Sequence, residues 1–115
     1  MNKLKDIITE LNLKVLSVGN NLDIEVTSGC CCDLLSWVMA NGKKNDIWIT
    51  VQTHVNIVAV ASLLELSGII ISSGLTVDKK TIEKAKEEGV TLLSSSMNAF
   101  QLAGILYNMG IRSEG

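Results

Sequence analysis

A chain of 115 residues has room for one domain with one hydrophobic core, and its formal net charge of −2 gives no large excess of either sign. Hydrophobic residues make up 47% of the chain, aromatic residues only 3%, and no basic patch with interleaved aromatic side chains occurs. We therefore expect no nucleic-acid partner. No apolar run reaches the roughly 18–20 residues that span a bilayer, so we expect no membrane partner either.

The N-terminal segment MNKLKDIITEL carries too many charges for a signal peptide, so we expect a cytoplasmic protein whose thiols stay reduced. Its apolar residues recur at helical spacing and predict a helix over 3–11 with Asn2 as the N-cap. The patterns that follow predict a strand at 14–18, a turn at 19–21, an extended segment at 22–28 and a helix at 33–40. The buried stripe of that second helix is predicted to contain Leu34, Leu35 and Val38.

The central stretch from Asp46 to Gly74 reads as strand, helix and strand, the minimal parallel β-α-β unit. Residues 46–51 predict a strand. Thr53 is the predicted N-cap of a mostly apolar helix that Gly68 ends. The continuous apolar run GIIIS then predicts a central parallel strand that is covered on both faces.

The last third of the chain continues the alternation of helices and strands. Asp78 is the predicted N-cap of a helix that runs to Glu88, and Gly89 is the predicted C′ residue that ends it. Residues 90–93 predict a strand, and Ser96 is the predicted N-cap of a last helix that runs to about Asn108. We expect one α/β domain over 1–109, with a mostly parallel sheet and helices on its faces, and a flexible C-terminal tail at 110–115.

Polar residues follow three of the predicted strands, where an open α/β sheet binds its ligands. Each group also precedes a helix, so free amides and the positive ends of helix dipoles are predicted to meet at one rim. The candidate ligand-binding residues are Gln52, Thr53, His54, Asn56, Ser72, Ser73, Gly74, Ser94 and Ser95. The alternative is that these serines and threonines serve only as helix caps. No phosphate-binding glycine motif occurs, and we expect no cofactor.

The single histidine and the three cysteines are the residues that invite a chemical role. His54 has no nucleophile or orienting carboxylate near it in a known motif, so we favour a capping or buried role. Cys30 and Cys32 face one way in an extended segment and Cys31 the other, which disfavours a shared metal ion. The C-x-x-C spacing of metal and redox motifs is absent. We therefore predict no catalytic and no metal-binding residues, and we expect the cysteines to pack as small hydrophobes.

The apolar surplus of so small a domain predicts an interface with a second copy, and thus a homodimer. Trp37 and Trp48 are the two large anchors. We favour an interface position for Trp37 and a core position for Trp48.

The sequence resembles a stand-alone DRTGG domain over about Leu4 to Tyr107. The resemblance rests on LDIEVTSG, DLLSWVMAN, GIIISSG, the 79–89 helix and above all DIWITVQTHVNIVAVA. In the naming motif Asp23, Thr27 and Gly29 match, whereas Ile24 stands where the family has arginine and Ser28 where it has glycine. This resemblance implies an α/β domain similar to the N-terminal domain of HPr kinase/phosphorylase, and a regulatory or dimerising role. It carries over no catalytic residues.

We accordingly predict a non-catalytic regulatory and dimerisation module that senses a nucleotide-like or other metabolite ligand at the carboxyl ends of the strands. One alternative is an adaptor that binds another protein of a metabolic or redox complex. The other is a small enzyme that uses His54 or Cys32. The enzyme hypothesis requires a pocket in which His54 reaches a cysteine or serine within hydrogen-bond distance.

Overall fold

The computed structural model describes residues 2–19 and 21–112, in which five strands and five helices alternate around one sheet. The strands are β1 (Lys14–Ser17), β2 (Gly29–Cys31), β3 (Ile47–Thr50), β4 (Gly68–Ile71) and β5 (Leu92–Ser94). The helices are α1 (Leu4–Glu10), α2 (Leu35–Asn41), α3 (Asn56–Leu64), α4 (Lys79–Glu88) and α5 (Ala99–Asn108). The spatial order of the sheet is β1-β5-β4-β3-β2, and only the β1–β5 pair is antiparallel. The predicted α/β domain with a mostly parallel sheet is confirmed.

The central strands β3 and β4 are buried along their whole length because helices cover both faces of the sheet. Helices α1 and α5 pack on one face, against Ile47, Ile49 and Ile70. Helices α2, α3 and α4 pack on the other face, against Trp48 and Ile69. The core position predicted for Trp48 is confirmed.

Helix α3 begins and ends at other residues than the sequence indicates. Its N-cap position is Val55, and no side chain caps it, so the prediction of Thr53 as the cap is wrong. The helix ends where Glu65 adopts a left-handed conformation, with φ of 56°. Gly68 instead begins β4, where a Cβ atom would lie 3.3 Å from the carbonyl oxygen of Thr91. Close packing of neighbouring strands therefore explains this glycine, which the sequence analysis assigned to a helix end.

The first half of the chain differs most from the prediction. Residues 22–28 form only isolated bridges, whereas the strand β2 begins at Gly29 and runs through the first two cysteines. Cys30 and Cys32 pack towards the α2–α4 side, as the extended alternation predicts. Leu34 is exposed, so its predicted place in the buried stripe of α2 is wrong.

The caps of the first and last helices also differ from the prediction. Lys3 occupies the N-cap position of α1, and the side chain of Asn2 donates instead to the carbonyl of Met109 at 2.6 Å. Asn98 caps α5, because its side chain accepts from the backbone N–H of Gln101, so the prediction of Ser96 is wrong. Asp78 occupies the N-cap position of α4 as predicted, but its carboxylate makes no capping bond.

Part of the predicted tail lies against the domain. Ile111 is buried, and Arg112 pairs with the strand edge through Gly29 N–H to Arg112 C=O at 3.2 Å and Arg112 N–H to Thr27 C=O at 3.1 Å. Residues 113–115 lie outside the described residues, as does Asn20 of the predicted 19–21 turn.

Candidate functional site

The predicted site residues follow β3, β4 and β5 and therefore lie at the carboxyl rim of the sheet. We use the name carboxyl rim for residues 32–34, 50–56, 72–75 and 94–100. Of the candidates, Ser72 is buried, and Gln52, Thr53, Ser94 and Ser95 are partly buried. The exposed candidates are His54, Asn56, Ser73 and Gly74.

The β4 and β5 loops of the carboxyl rim are hydrogen-bonded to each other. Ser73 and Gly74 both adopt left-handed conformations, with φ of 69° and 66°. Their backbone N–H groups donate to the carbonyls of Met97 and Ser95, at 2.7 and 2.8 Å. The Oγ of Ser95 accepts from the N–H of Met97 at 3.0 Å. These two loop amides are therefore already paired within the protein, and they are not free for a ligand.

Asp33 links the β2 side of the carboxyl rim to β3 through hydrogen bonds, a role that was not predicted from the sequence. Its Oδ1 accepts from the hydroxyl of Thr50 at 2.8 Å and from the N–H of Val51 at 2.9 Å. The side-chain amide of Gln52 donates to the carbonyl of Asp33 at 3.0 Å. An aspartate at the first residue of the predicted 33–40 helix suggests a role at the helix end, and nothing in the local sequence indicates a bond to a strand residue 17 positions away.

His54 lies on the surface of the carboxyl rim, with 73% of its side chain exposed, so the capping or buried role favoured for it is wrong. Its Nδ1 lies 2.9 Å from the Oδ2 of Asp78, which supplies the carboxylate partner that no sequence motif indicated. Among the described residues, no hydrogen bond joins His54 to a cysteine or a serine side chain. The arrangement therefore lacks a nucleophile next to the imidazole.

Large apolar side chains project from the carboxyl rim. The exposed members are Leu34, Val51, Val55, Leu75 and Phe100. Phe100, near the start of α5, is 88% exposed. Contiguous exposed apolar side chains are typical of protein interaction surfaces. The carboxyl rim is thus more apolar than the serine-rich sequence of its loops suggests.

A cavity of about 510 Å³ lies elsewhere, along the edge of β2 between α2 and α5. We call it the edge cavity. Its aromatic residues are Trp37 from α2 and Tyr107 from α5, and Ile47, Ile49 and Leu106 contribute apolar surface. None of the predicted ligand-binding residues lines it.

The polar lining of the edge cavity contains one carboxylate and two cationic side chains. Asp46 is buried, its Oδ1 accepts from the hydroxyl of Ser28, and its Oδ2 accepts from the N–H of Lys43 at 3.0 Å. The guanidinium of Arg112 lies 3.7 Å from the centroid of the Tyr107 ring and donates to the carbonyl of Tyr107. The carboxylate is therefore satisfied by internal bonds, whereas the side chains of Lys43 and Arg112 give the cavity its positive charge.

The thiols beside the edge cavity are neutral at pH 7. Burial, together with neighbouring acidic groups, raises the pKa of Cys30 to about 11. Burial also raises the pKa of Cys31. Because the thiolate is the reactive form, neither side chain is an activated nucleophile.

Residues 2–19 and 21–112 contain neither a candidate membrane span nor a candidate metal site. No helix in these ranges is long and apolar enough to cross a bilayer. The same ranges contain no group of three or more histidine, cysteine, aspartate or glutamate side chains placed to hold a metal ion.

No family model matches the sequence, and no curated protein matches it either. Among solved structures, the fold is similar to the CBS and DRTGG domains of the regulatory region of a Clostridium perfringens pyrophosphatase, which was crystallised with its activator diadenosine tetraphosphate. The TM-score is 0.74, the sequence identity is 19%, and the match covers 90% of this chain. It covers 45% of that chain, so this protein spans less than half the length of its structural relative. A likeness at this identity establishes the shared fold.

Proposed function

We propose that this chain is a non-catalytic regulatory module of the DRTGG type that senses a small ligand. The observation that carries this proposal is the fold shared with a regulatory region that binds a nucleotide activator. The residues that could support an enzyme favour the same conclusion, because His54 pairs with Asp78 on the surface and the Cys30 and Cys31 thiols have raised pKa values.

A thermal-shift screen of adenine nucleotides, dinucleoside polyphosphates and central metabolites tests this proposal. A ligand at 100 times its Kd stabilises a fold by about 2.7 kcal/mol, which is readily measured. We expect at least one compound of the panel to raise the midpoint of unfolding in a saturable way. A flat response to the whole panel would contradict ligand sensing.

We place the ligand-binding site of this module at the carboxyl rim, the position predicted from the sequence. His54 and Gln52 are its test residues, because the side chain of His54 is exposed and that of Gln52, although partly buried and bonded to the Asp33 carbonyl, lies outside the core. Under this proposal, His54→Ala and Gln52→Ala lower the affinity for the ligand found in the screen. Unchanged affinity in both variants would remove the carboxyl rim as the binding position.

We also propose that the module is a homodimer whose contact surface is the apolar part of the carboxyl rim. Phe100 and Leu75 are both exposed, and they follow β5 and β4, which are neighbours in the sheet; this supports the position. Phe100→Ser with Leu75→Ser is expected to give a monomer in size-exclusion chromatography with light scattering. Leu63→Ser is the control, because Leu63 is an exposed apolar residue near the C-terminal end of α3, away from the carboxyl rim. A wild-type monomer at micromolar concentration would contradict the homodimer.

A protein partner is the second candidate for the same apolar surface, because an adaptor would also bury Phe100 and its neighbours. The two candidates differ in stoichiometry. An adaptor is a monomer when purified alone, whereas the homodimer forms without any other polypeptide.

A further inference from the structure

We propose that the edge cavity is a binding site for a planar aromatic anion of the nucleoside monophosphate class, with the base on Trp37 and the phosphate at Arg112 and Lys43. This inference rests on the proposed function, since it names the ligand class and the position for the sensing module. It differs from that proposal in placing the ligand at the β2 edge, away from the carboxyl rim.

The size and lining of the edge cavity suit a small organic ligand. Its volume of about 510 Å³ lies within the range of about 300–1,000 Å³ that is usual for ligand pockets. Ile47, Ile49 and Leu106 form an apolar surface, and the polar part of the lining includes three charged residues, Lys43, Asp46 and Arg112. A lining of this kind binds a flat apolar body and orients it through a small number of polar contacts.

Trp37 provides the stacking surface. The side chain of Trp37 is 52% exposed although it lines the cavity, whereas Trp48 is fully buried. The ring of Tyr107 already carries the Arg112 guanidinium at 3.7 Å from its centroid. Trp37 is therefore the aromatic side chain in this cavity whose face is not occupied by a cation, and aromatic faces bind bases by stacking.

The charge of the cavity favours an anion. Among the described residues, neither Lys43 nor Arg112 has a carboxylate within 4.0 Å of its side-chain nitrogens. Asp46 is the acidic residue in the lining. One of its carboxylate oxygens accepts a hydrogen bond from the Ser28 hydroxyl, and the other accepts one from the Lys43 backbone N–H. Arg112 uses one guanidinium nitrogen on the Tyr107 carbonyl and keeps further donors for a phosphate. The neutral thiols of Cys30 and Cys31 add no repulsion.

The open edge of β2 is too short to bind an extended peptide as an added strand. Gly29 and Cys31 direct their backbone groups outward, because Ser28 and Cys32 bond inward to β3. The chain's own Arg112 already pairs with Thr27 and Gly29 along this edge. Along this edge the C=O group of Gly29 and the N–H and C=O groups of Cys31 therefore remain as acceptors and a donor for the edge of a base.

Calorimetric titration of the full chain with AMP tests the inference, with adenosine and inorganic phosphate as the two halves of the probe. We expect Trp37→Ala to weaken AMP binding about tenfold or more, as removal of one stacking partner does. Arg112→Gln and Lys43→Gln are expected to weaken the binding of AMP but to leave that of adenosine unchanged. Leu63→Ala and Lys80→Gln are the controls, an exposed apolar residue and an exposed lysine outside the cavity, and both should bind like wild type.

Trp37→Phe tests whether a loss of AMP affinity in Trp37→Ala comes from the missing ring or from a damaged fold. Because phenylalanine keeps an aromatic face, this variant should retain most of the affinity for AMP. If His54→Ala or Gln52→Ala abolishes AMP binding while Trp37→Ala does not, the edge cavity is the wrong position and the sensing function stands. If AMP does not bind but another metabolite stabilises the protein, the ligand class is wrong. If no compound binds or stabilises wild type, the proposed function fails as well. Trp37-dependent binding of an extended peptide in place of AMP would overturn the inference in favour of strand addition.

Discussion

The centre of the sheet and its β2 edge differ in the size and burial of their side chains. Strands β3 and β4 consist almost entirely of large buried side chains, and helices cover both of their faces. Strand β2 consists of one glycine and two cysteines, and its outer side borders the edge cavity. The centre supplies the free energy of folding through burial of apolar surface, whereas the edge leaves backbone groups, an aromatic ring and two cations accessible. Under our proposal, stability and recognition are thus separated within one sheet.

The largest expected effect is the loss of a central side chain. Ile70 in β4 is fully buried, so Ile70→Ala should lower the free energy of unfolding by about 2–5 kcal/mol, through lost transfer energy and a cavity. Cys31→Ala at the edge should change it by no more than about 0.5 kcal/mol. Urea denaturation of both variants measures the difference. Equal losses would mean that the two regions contribute alike.

An intermediate effect is expected where the edge is joined to the centre. Asp46 is buried and accepts one hydrogen bond on each carboxylate oxygen, so Asp46→Asn replaces one acceptor with an NH₂ donor. The Ser28 hydroxyl can turn to accept from this NH₂ group, but both hydrogen bonds then lose their charged acceptor, at a cost of about 1–3 kcal/mol. Asp23→Asn is the control, because Asp23 is an exposed aspartate. A stability of Asp46→Asn equal to that of wild type in urea would show that this carboxylate does not hold the loop.

The smallest effect concerns the titration of Cys30. A raised folded-state pKa contributes stability that is complete below the unfolded-state value of 9.0 and is lost as the pH rises towards about 11. We expect the urea midpoint of wild type to fall over this interval, and that of Cys30→Ala to fall less. Alkylation of a variant that retains only Cys30 should accelerate over the same interval. A labelling rate that is already maximal at pH 9 would show that the thiol is not shielded.

The sequence predicted the centre of the fold because its signals there are local and strong. The run from Ile69 to Ile71 and the alternation around Trp48 each indicate burial from a few neighbouring residues. Of the carboxyl rim, the sequence indicated the position of the polar residues but not their bonds. Asp33 and Asp46 bond across the sheet to residues whose proximity only the fold establishes.

No local sequence pattern of comparable strength indicated the edge cavity. Trp37 stood out as a large residue off the buried stripe, and that was the one available signal. Tyr107 falls in the predicted last helix and Arg112 in the predicted tail, and no local pattern shows that the chain after α5 returns to pair with Thr27 and Gly29. Such non-local pairings depend on how the helices pack on the sheet.

The central claim, a structural centre with a recognising edge, is tested most directly by an NMR titration of the ¹⁵N-labelled protein with AMP. We predict saturable chemical-shift changes at the Trp37 indole N–H, the Cys31 amide and the Arg112 amide, with the amides of β4, which does not line the edge cavity, left nearly unchanged. Shifts confined to residues of the carboxyl rim, or no shifts at millimolar AMP, would contradict it.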